Sequence, residues 1–175
     1  NDFGAINEGM SDVMGNLIEM MLEHSHEREW LISEKHINGA MRSIKDPHQY
    51  GQPEYVWDIN YVPATPTPND YNDMGGVHTN SSLLNLVSYR LYEAGMDVDD
   101  QAYFWMNAAL TMTPTADYAL LASTLPWCIM IAGYPQYEAA MRQAVEDGKY
   151  AFKGTPEKAE NGNALVKLEL PSSLT

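Results

Sequence analysis

Three carboxylates near the head of the chain, Glu8, Asp12 and Glu19, fall in a narrow arc if residues 4–22 form a helix turning about 100° per residue. Ile6, Met10, Val13, Leu17 and Met21 form an apolar stripe on the other side. Aligned carboxylates either stand in water or hold a cation, and the acids alone leave both readings open. Gly4, Ser11 and Gly15 lie beside them. A glycine inside a helix costs roughly 1 kcal/mol relative to alanine, and small residues suit close approach by another backbone. A carboxylate that faces protein needs a metal, a cation or several donors. On that reading the helix is half of a site.

The run Gly4-Ala5-Ile6-Asn7-Glu8-Gly9-Met10-Ser11-Asp12 resembles the third-ligand helix of the thermolysin-like zinc metallopeptidases, the M4 family, with its pattern Gly-Ala-(Leu/Ile)-Asn-Glu-x-x-Ser-Asp. The resemblance implies that Glu8 is a zinc ligand and that Asp12 hydrogen-bonds a zinc-binding histidine. A second run, Asp73-Met74-Gly75-Gly76-Val77-His78-Thr79-Asn80-Ser81, resembles the family's Asp-x-Gly-Gly-Val-His-x-Asn-Ser. It implies that His78 donates to the oxyanion formed when water attacks a peptide carbonyl, with Asp73 on the other ring nitrogen favouring the protonated ring.

Between them, Arg42-x-x-x-Asp46-Pro47-x-x-Tyr50-Gly51-x-Pro53 resembles the family's loop after its calcium region. There the resemblance gives Arg42 the substrate carbonyl beside the scissile bond, a task for a planar five-donor fork. Ile32 and Met41 would line the pocket for the side chain after the cleaved bond. Glu29-Trp30-Leu31-Ile32-Ser33-Glu34 resembles the family's structural calcium loop, in which Glu29 and Glu34 join Glu19. A solvated acidic turn accounts for the same residues equally well.

These residues need elements to hold them. The first helix is expected over about 4–22, with Asn1 or Asp2 as cap. His24-Ser25-His26-Glu27 does not make the zinc signature His-Glu-x-x-His, because the position required for the second histidine is Trp30. Residues 51–76 show no helical period and carry four prolines, so a long loop ordered by Tyr55, Trp57, Tyr61 and Tyr71 is expected. Helices follow over about 80–94, from Asp97 or Asp99 to Thr111, from a Thr115 cap to Gly133, and from Tyr134-Pro135 to Gly148. The third of these is apolar nearly all round and reads as the central helix, kinked at Pro126. After Lys153 the chain turns polar, and Leu165–Leu170 alternates as a strand.

The 175 residues suffice for one domain with its own core. A net charge of −14 repels phosphate backbones and argues against a nucleic-acid partner. The single Cys128 excludes an internal disulfide and a cysteine zinc finger, and reads as an inert buried thiol. No signal peptide is recognisable, and the longest apolar run, 120–131, is too short to span a bilayer, so membrane insertion is not expected. The chain starts abruptly at a helix without an initiator Met, as a trimmed piece or a processed product would.

The expected fold is mainly α: a thermolysin-like C-terminal helical domain of about five helices with a long ordered loop, over residues 1–152. Residues 153–175 would be an extension or linker with a short β segment. The resemblance implies the C-terminal half of a secreted zinc endopeptidase that hydrolyses peptide bonds by metal-activated water, with zinc and calcium as cofactors. Its partners would be a peptide or protein substrate and an N-terminal catalytic lobe carrying His-Glu-x-x-His. That motif is absent from these 175 positions, so the chain alone is expected to be inactive. The alternative is a non-catalytic peptide-binding or assembly module of a larger surface protein.

Overall fold

The computed structural model describes residues 2–23, 30–33 and 35–152, together with the backbone of 157–158 and 164–165. His24, His26, Glu29 and Glu34 lie outside the described residues, as does most of the expected strand Leu165–Leu170. Five helices of ten residues or more make up the body: α1 (Asp2–Glu23), α2 (Ser82–Glu93), α3 (Val98–Thr111), α4 (Tyr118–Ile131) and α5 (Glu138–Asp147). The protein is mainly α-helical, as its periodicity implies. Helix α1 packs on α2 and α3, α5 packs on α2 and α4, and α3 bridges to α4.

Helix α1 forms as expected, but its buried face is turned from the predicted stripe. Ala5, Ile6, Gly9, Asp12, Val13, Asn16, Leu17 and Met20 are buried, whereas Met21 is exposed. The reason is the size of the residues facing α2. A Cβ on Gly9 would stand 2.7 Å from the Ser81 carbonyl oxygen and 2.9 Å from Leu84 Cβ, so the two backbones meet there. The close approach expected of Gly15 does not occur, because that position faces open space. Ser11 is also exposed, and its hydroxyl donates to the Asn7 carbonyl within the helix.

The central helix is α2 rather than α4. Every residue from Ser82 to Ser88 is buried, and each polar side chain makes a hydrogen bond, although Asn85 Oδ1 itself has no partner among the described residues. Ser82 Oγ donates to Pro53 O at 2.6 Å, Asn85 Nδ2 to Asp12 Oδ2 at 3.0 Å, and Ser88 Oγ to Gln101 Oε1 at 2.7 Å. Satisfied polar groups can be buried at little cost, so composition alone does not decide which helix is inside. Helix α4 instead shows Leu120, Trp127, Met130 and Ile131 to solvent, and it runs unbroken through Pro126. Its cap is Asp117, which accepts the Leu120 N–H at 2.7 Å, rather than Thr115. Asp97 caps α3 in the same way. Cys128 is buried as a free thiol.

Two phenols lock the start of α2. Tyr118 Oη donates to Asn80 O and Tyr150 Oη to Leu83 O, both at 2.7 Å, with the rings 4.9 Å apart. Burial holds both phenols above their ordinary pKa, so they remain donors. On the other flank, Trp30 packs edge-to-face with Tyr89 and at a tilt against Tyr92 of α2. It leads into a two-residue ladder of β1 (Leu31–Ile32) against β2 (Arg42–Ser43), antiparallel with Ile32 opposite Arg42.

The loop over 51–76 is ordered by polar ties as much as by aromatics. Trp57 and Tyr61 pack together, but Tyr71 is fully exposed. In the tail, β3 (Glu157–Lys158) pairs antiparallel with β4 (Ala164–Leu165).

Candidate active site

Helix α1 carries Glu8 and Asp12 one turn apart on the edge of its buried face. Asp12 is buried, and both its oxygens accept from Arg42 Nη1, at 2.6 and 2.7 Å. Asn85 Nδ2 adds a third donor from α2. The pair is enclosed, with side-chain exposures of 15 % for Arg42 and 9 % for Asp12. Arg42 is thus an ion-pair partner of Asp12 in a β-ladder, not a free loop residue. Beside it, Ile32 is half-buried and Met41 exposed, joined by Met41 N–H to Ile32 O at 2.9 Å.

The opposing wall is built by a turn of unusual hand. Asn69 and Asn72 cap each other: Asn69 Oδ1 accepts from Tyr71 N–H, and Asn72 Oδ1 from the N–H groups of Asn69 and Gly75. The chain then takes four left-handed residues in succession, Asp73 (φ 54°), Met74 (φ 51°), Gly75 (φ 83°) and Gly76 (φ 80°). Val77 N–H closes the turn on Asp73 O at 2.9 Å. Left-handed backbone costs roughly 1–2 kcal/mol at a residue with a Cβ, so Asp73 and Met74 are strained positions.

The turn folds Asp73 back onto the residues that follow it. Its Oδ1 lies 2.6 Å from His78 Nδ1, and its Oδ2 accepts from Thr79 N–H at 2.7 Å and Thr79 Oγ1 at 2.9 Å. Burial pushes this carboxyl up, but the bonds from His78 and Thr79 outweigh it and hold it below the usual carboxylate range. An ionised Asp73 only accepts, so His78 Nδ1 carries the proton. The other ring nitrogen, Nε2, stands 3.6 Å from Glu8 Oε2. Close packing of Gly9 on Ser81 produces this encounter, because Glu8 precedes one contact residue and His78 lies just ahead of the other.

The structure therefore brings Glu8, Asp73 and His78 together, and Asp12 with Arg42. Of the three acids expected at a calcium site, Glu29 and Glu34 lie outside the described residues, and Glu19 pairs with Lys35 at 3.4 Å. Among the described residues no three His, Cys, Asp or Glu side chains gather in a way that could hold a metal by themselves. Asn85, Thr79 and Gln52 also belong to the site and were not singled out from the sequence. Gln52 Nε2 donates to the His78 carbonyl. Asn85 and Gln52 reach partners 73 and 26 residues away, which no local pattern reveals. Thr79 stood inside a motif, next to His78.

Residues 1–153 match the family model for the thermolysin metallopeptidase alpha-helical domain. A zinc metalloproteinase of Renibacterium salmoninarum is 34 % identical over 137 residues, covering 71 % of this chain and 25 % of that protein. A thermolysin of Alicyclobacillus acidocaldarius subsp. acidocaldarius is 30 % identical over 167 residues, covering 87 % of this chain and 28 % of its own length. A bacillolysin of Bacillus caldolyticus is 29 % identical over the same coverage. The chain spans about a quarter of the length of these relatives. A mainly helical body matched over nearly its whole described length makes this chain the alpha-helical domain of a thermolysin-family metallopeptidase.

Proposed function

We propose that this domain forms one wall of the active site of a secreted zinc endopeptidase. The observation that carries the reading is the convergence of Asp73, His78 and Glu8 from a loop and a helix. Glu8 is a half-exposed carboxylate at the rim, an oxygen donor of the kind zinc accepts. Catalytic zinc takes three protein ligands and a water, so Glu8 supplies one and a lobe outside this chain the others. Zinc, when bound, polarises the peptide carbonyl and acidifies its water.

The chain's own residues then have distinct tasks. Asp73 fixes the His78 ring through its Nδ1 proton; in the doubly protonated ring Nε2 also carries a hydrogen and donates toward the carbonyl oxygen as negative charge develops on it. Asp12 orients Arg42 through both carboxylate oxygens, and the remaining guanidinium donors are assigned to the substrate carbonyl. Ile32 and Met41 are assigned to the adjoining side-chain pocket. Glu19, Glu29 and Glu34 are assigned to a calcium ion shared with the missing lobe. Residues 1–152 form the domain and 153–175 an extension.

The test is His78→Ala in the complete protein. Loss of an oxyanion donor should lower kcat by about 10²–10³-fold with little change in KM and unchanged zinc content. Wild-type turnover in that variant would remove His78 from catalysis and favour a peptide-binding module instead.

A further inference from the structure

We propose that Gln52 is a positioning residue for His78: its side-chain amide clamps the backbone on which the imidazole is carried. Gln52 Nε2 donates to the His78 carbonyl at 2.8 Å and to the Thr79 carbonyl at 3.3 Å. Ser81 Oγ gives the same His78 carbonyl a second donor at 2.7 Å, so both of its lone pairs are occupied. The amide's own base is fixed, with Gln52 N–H bonded to Pro47 O and Gln52 O accepting from Asn60 Nδ2.

The other end of the same amide shows which way it must point. Gln52 is 6 % exposed, and its Oε1 has no hydrogen-bond partner. Buried acceptors are normally paired, so an orphaned one is retained only where the rest of the group is needed. Flipping the amide would set Oε1 against two carbonyl oxygens and leave Nε2 without an acceptor. The orientation is therefore fixed by the His78 and Thr79 carbonyls alone.

The loop bearing Gln52 is itself tied around the turn over 78–82. Ser82 Oγ donates to Pro53 O, while Asn80 exchanges two bonds with Val62, at 3.0 and 2.8 Å. Asp73 grips the ring and the Thr79 N–H from one side. Gln52 grips the carbonyls of the same two residues from the other. With the backbone released, the imidazole is no longer held at the 2.6 Å distance that commits its Nδ1 proton to Asp73. Free imidazole lacks that preference, since the tautomer follows the hydrogen bond made by the ring.

The experiment compares wild type with Gln52→Met, which keeps the shape and removes the donor. In the 175-residue chain in alkaline solution, ring ¹⁵N shifts should show the Nδ1–H tautomer of His78 in wild type. In Gln52→Met the Nδ1–H to Nε2–H ratio should fall about threefold or more. In the complete peptidase the same change should cost about 10-fold in kcat with KM kept, as small misplacements of reacting groups do. Unchanged tautomer and kcat alongside a lowered melting temperature would overturn the proposal and leave Gln52 a stability residue. The kinetic arm rests on the function assigned to His78. A shifted tautomer with wild-type kcat would support the clamp and count against that function. Should Gln52→Met not fold, wild type decides: nuclear Overhauser contacts from the Gln52 amide protons to His78 and Thr79 support the clamp, and their absence refutes it.

Discussion

Glu8 and Asp12 stand one turn apart on a 22-residue helix, whereas Asp73 and His78 stand five residues apart on a turn with four left-handed residues. On the helix, spacing is set by the 3.6-residue repeat and costs nothing beyond forming α1. On the turn, it depends on strained backbone, two mutually capping asparagines and the carbonyl clamp. The helix half is anchored by a few strong contacts, the loop half by many modest ones. Large losses should therefore follow single changes on the helix side, and smaller, more local ones on the loop side.

The sharpest break is Asp12→Ala. It leaves the Arg42 guanidinium enclosed without a counter-charge and Asn85 Nδ2 without its acceptor. Removing one partner of a buried pair typically costs about 3–5 kcal/mol, and the slight exposure here points to about 3. Urea unfolding of the chain checks this, and a loss below about 1 kcal/mol would mean that Arg42 finds water instead.

Two glycines on the same helix should respond with opposite signs. Gly9→Ala puts a Cβ 2.7 Å from backbone oxygen of Ser81, which must shift at a cost of about 1–3 kcal/mol and widen the Glu8–His78 gap. Gly15→Ala enters open space in mid-helix and should stabilise by about 1 kcal/mol. Thermal melts of both variants decide whether the α1–α2 contact is as tight as the Gly9 geometry requires. Equal effects would remove the argument that this contact sets the site.

On the loop side, Met74 has φ 51° and is 43 % exposed, so it carries strain with little packing in return. Met74→Gly should raise stability by about 0.5–1 kcal/mol, after allowing for the extra freedom of glycine when unfolded. Met74→Val should lower it, because a β-branched residue tolerates left-handed backbone poorly. A stabilised Met74→Gly with unchanged kcat in the complete protein would show that the strain is incidental to function.

The same contrast explains what could be read in advance. Helix α1 was legible because its apolar residues repeat with the right period, yet its inward face was not, because the buried Ala5, Gly9 and Asn16 carry little hydrophobic signal. Helix α2 was underrated for the converse reason: Ser82, Asn85 and Ser88 look like surface residues until their distant partners are known. The all-apolar α4 was overrated, since apolar composition does not forbid exposure. Asp73 and His78 were visible as a motif. Gln52 was not, as its bond to His78 exists only once the loop is folded.

The smallest predicted effect concerns the base of that loop, where His48 Nε2 meets Asp58 Oδ2 at 2.8 Å. Asp58 is buried and also accepts the N–H groups of Glu54 and Asn60, so the imidazole closes a small polar knot. The hydrogen bond to Asp58 raises the His48 pKa; partial burial opposes it, while the charges of Asp58, Glu54 and Asp46 add to it. A raised folded value means that the stabilisation is full below the ordinary histidine pKa of about 6.5 and is lost as pH rises through the folded value. His48 is 44 % exposed, so the gain should stay below about 1 kcal/mol. His48→Gln should accordingly reduce the melting temperature slightly at about pH 6 and leave it unchanged near pH 9. Nuclear magnetic resonance titration of His48 gives the direct check. A midpoint above the ordinary value in wild type should return toward it in Asp58→Asn, and a midpoint equal in both would show that the knot is not held by charge. Helix α1 carries no histidine over residues 2–23, so this pH response should be confined to the loop half.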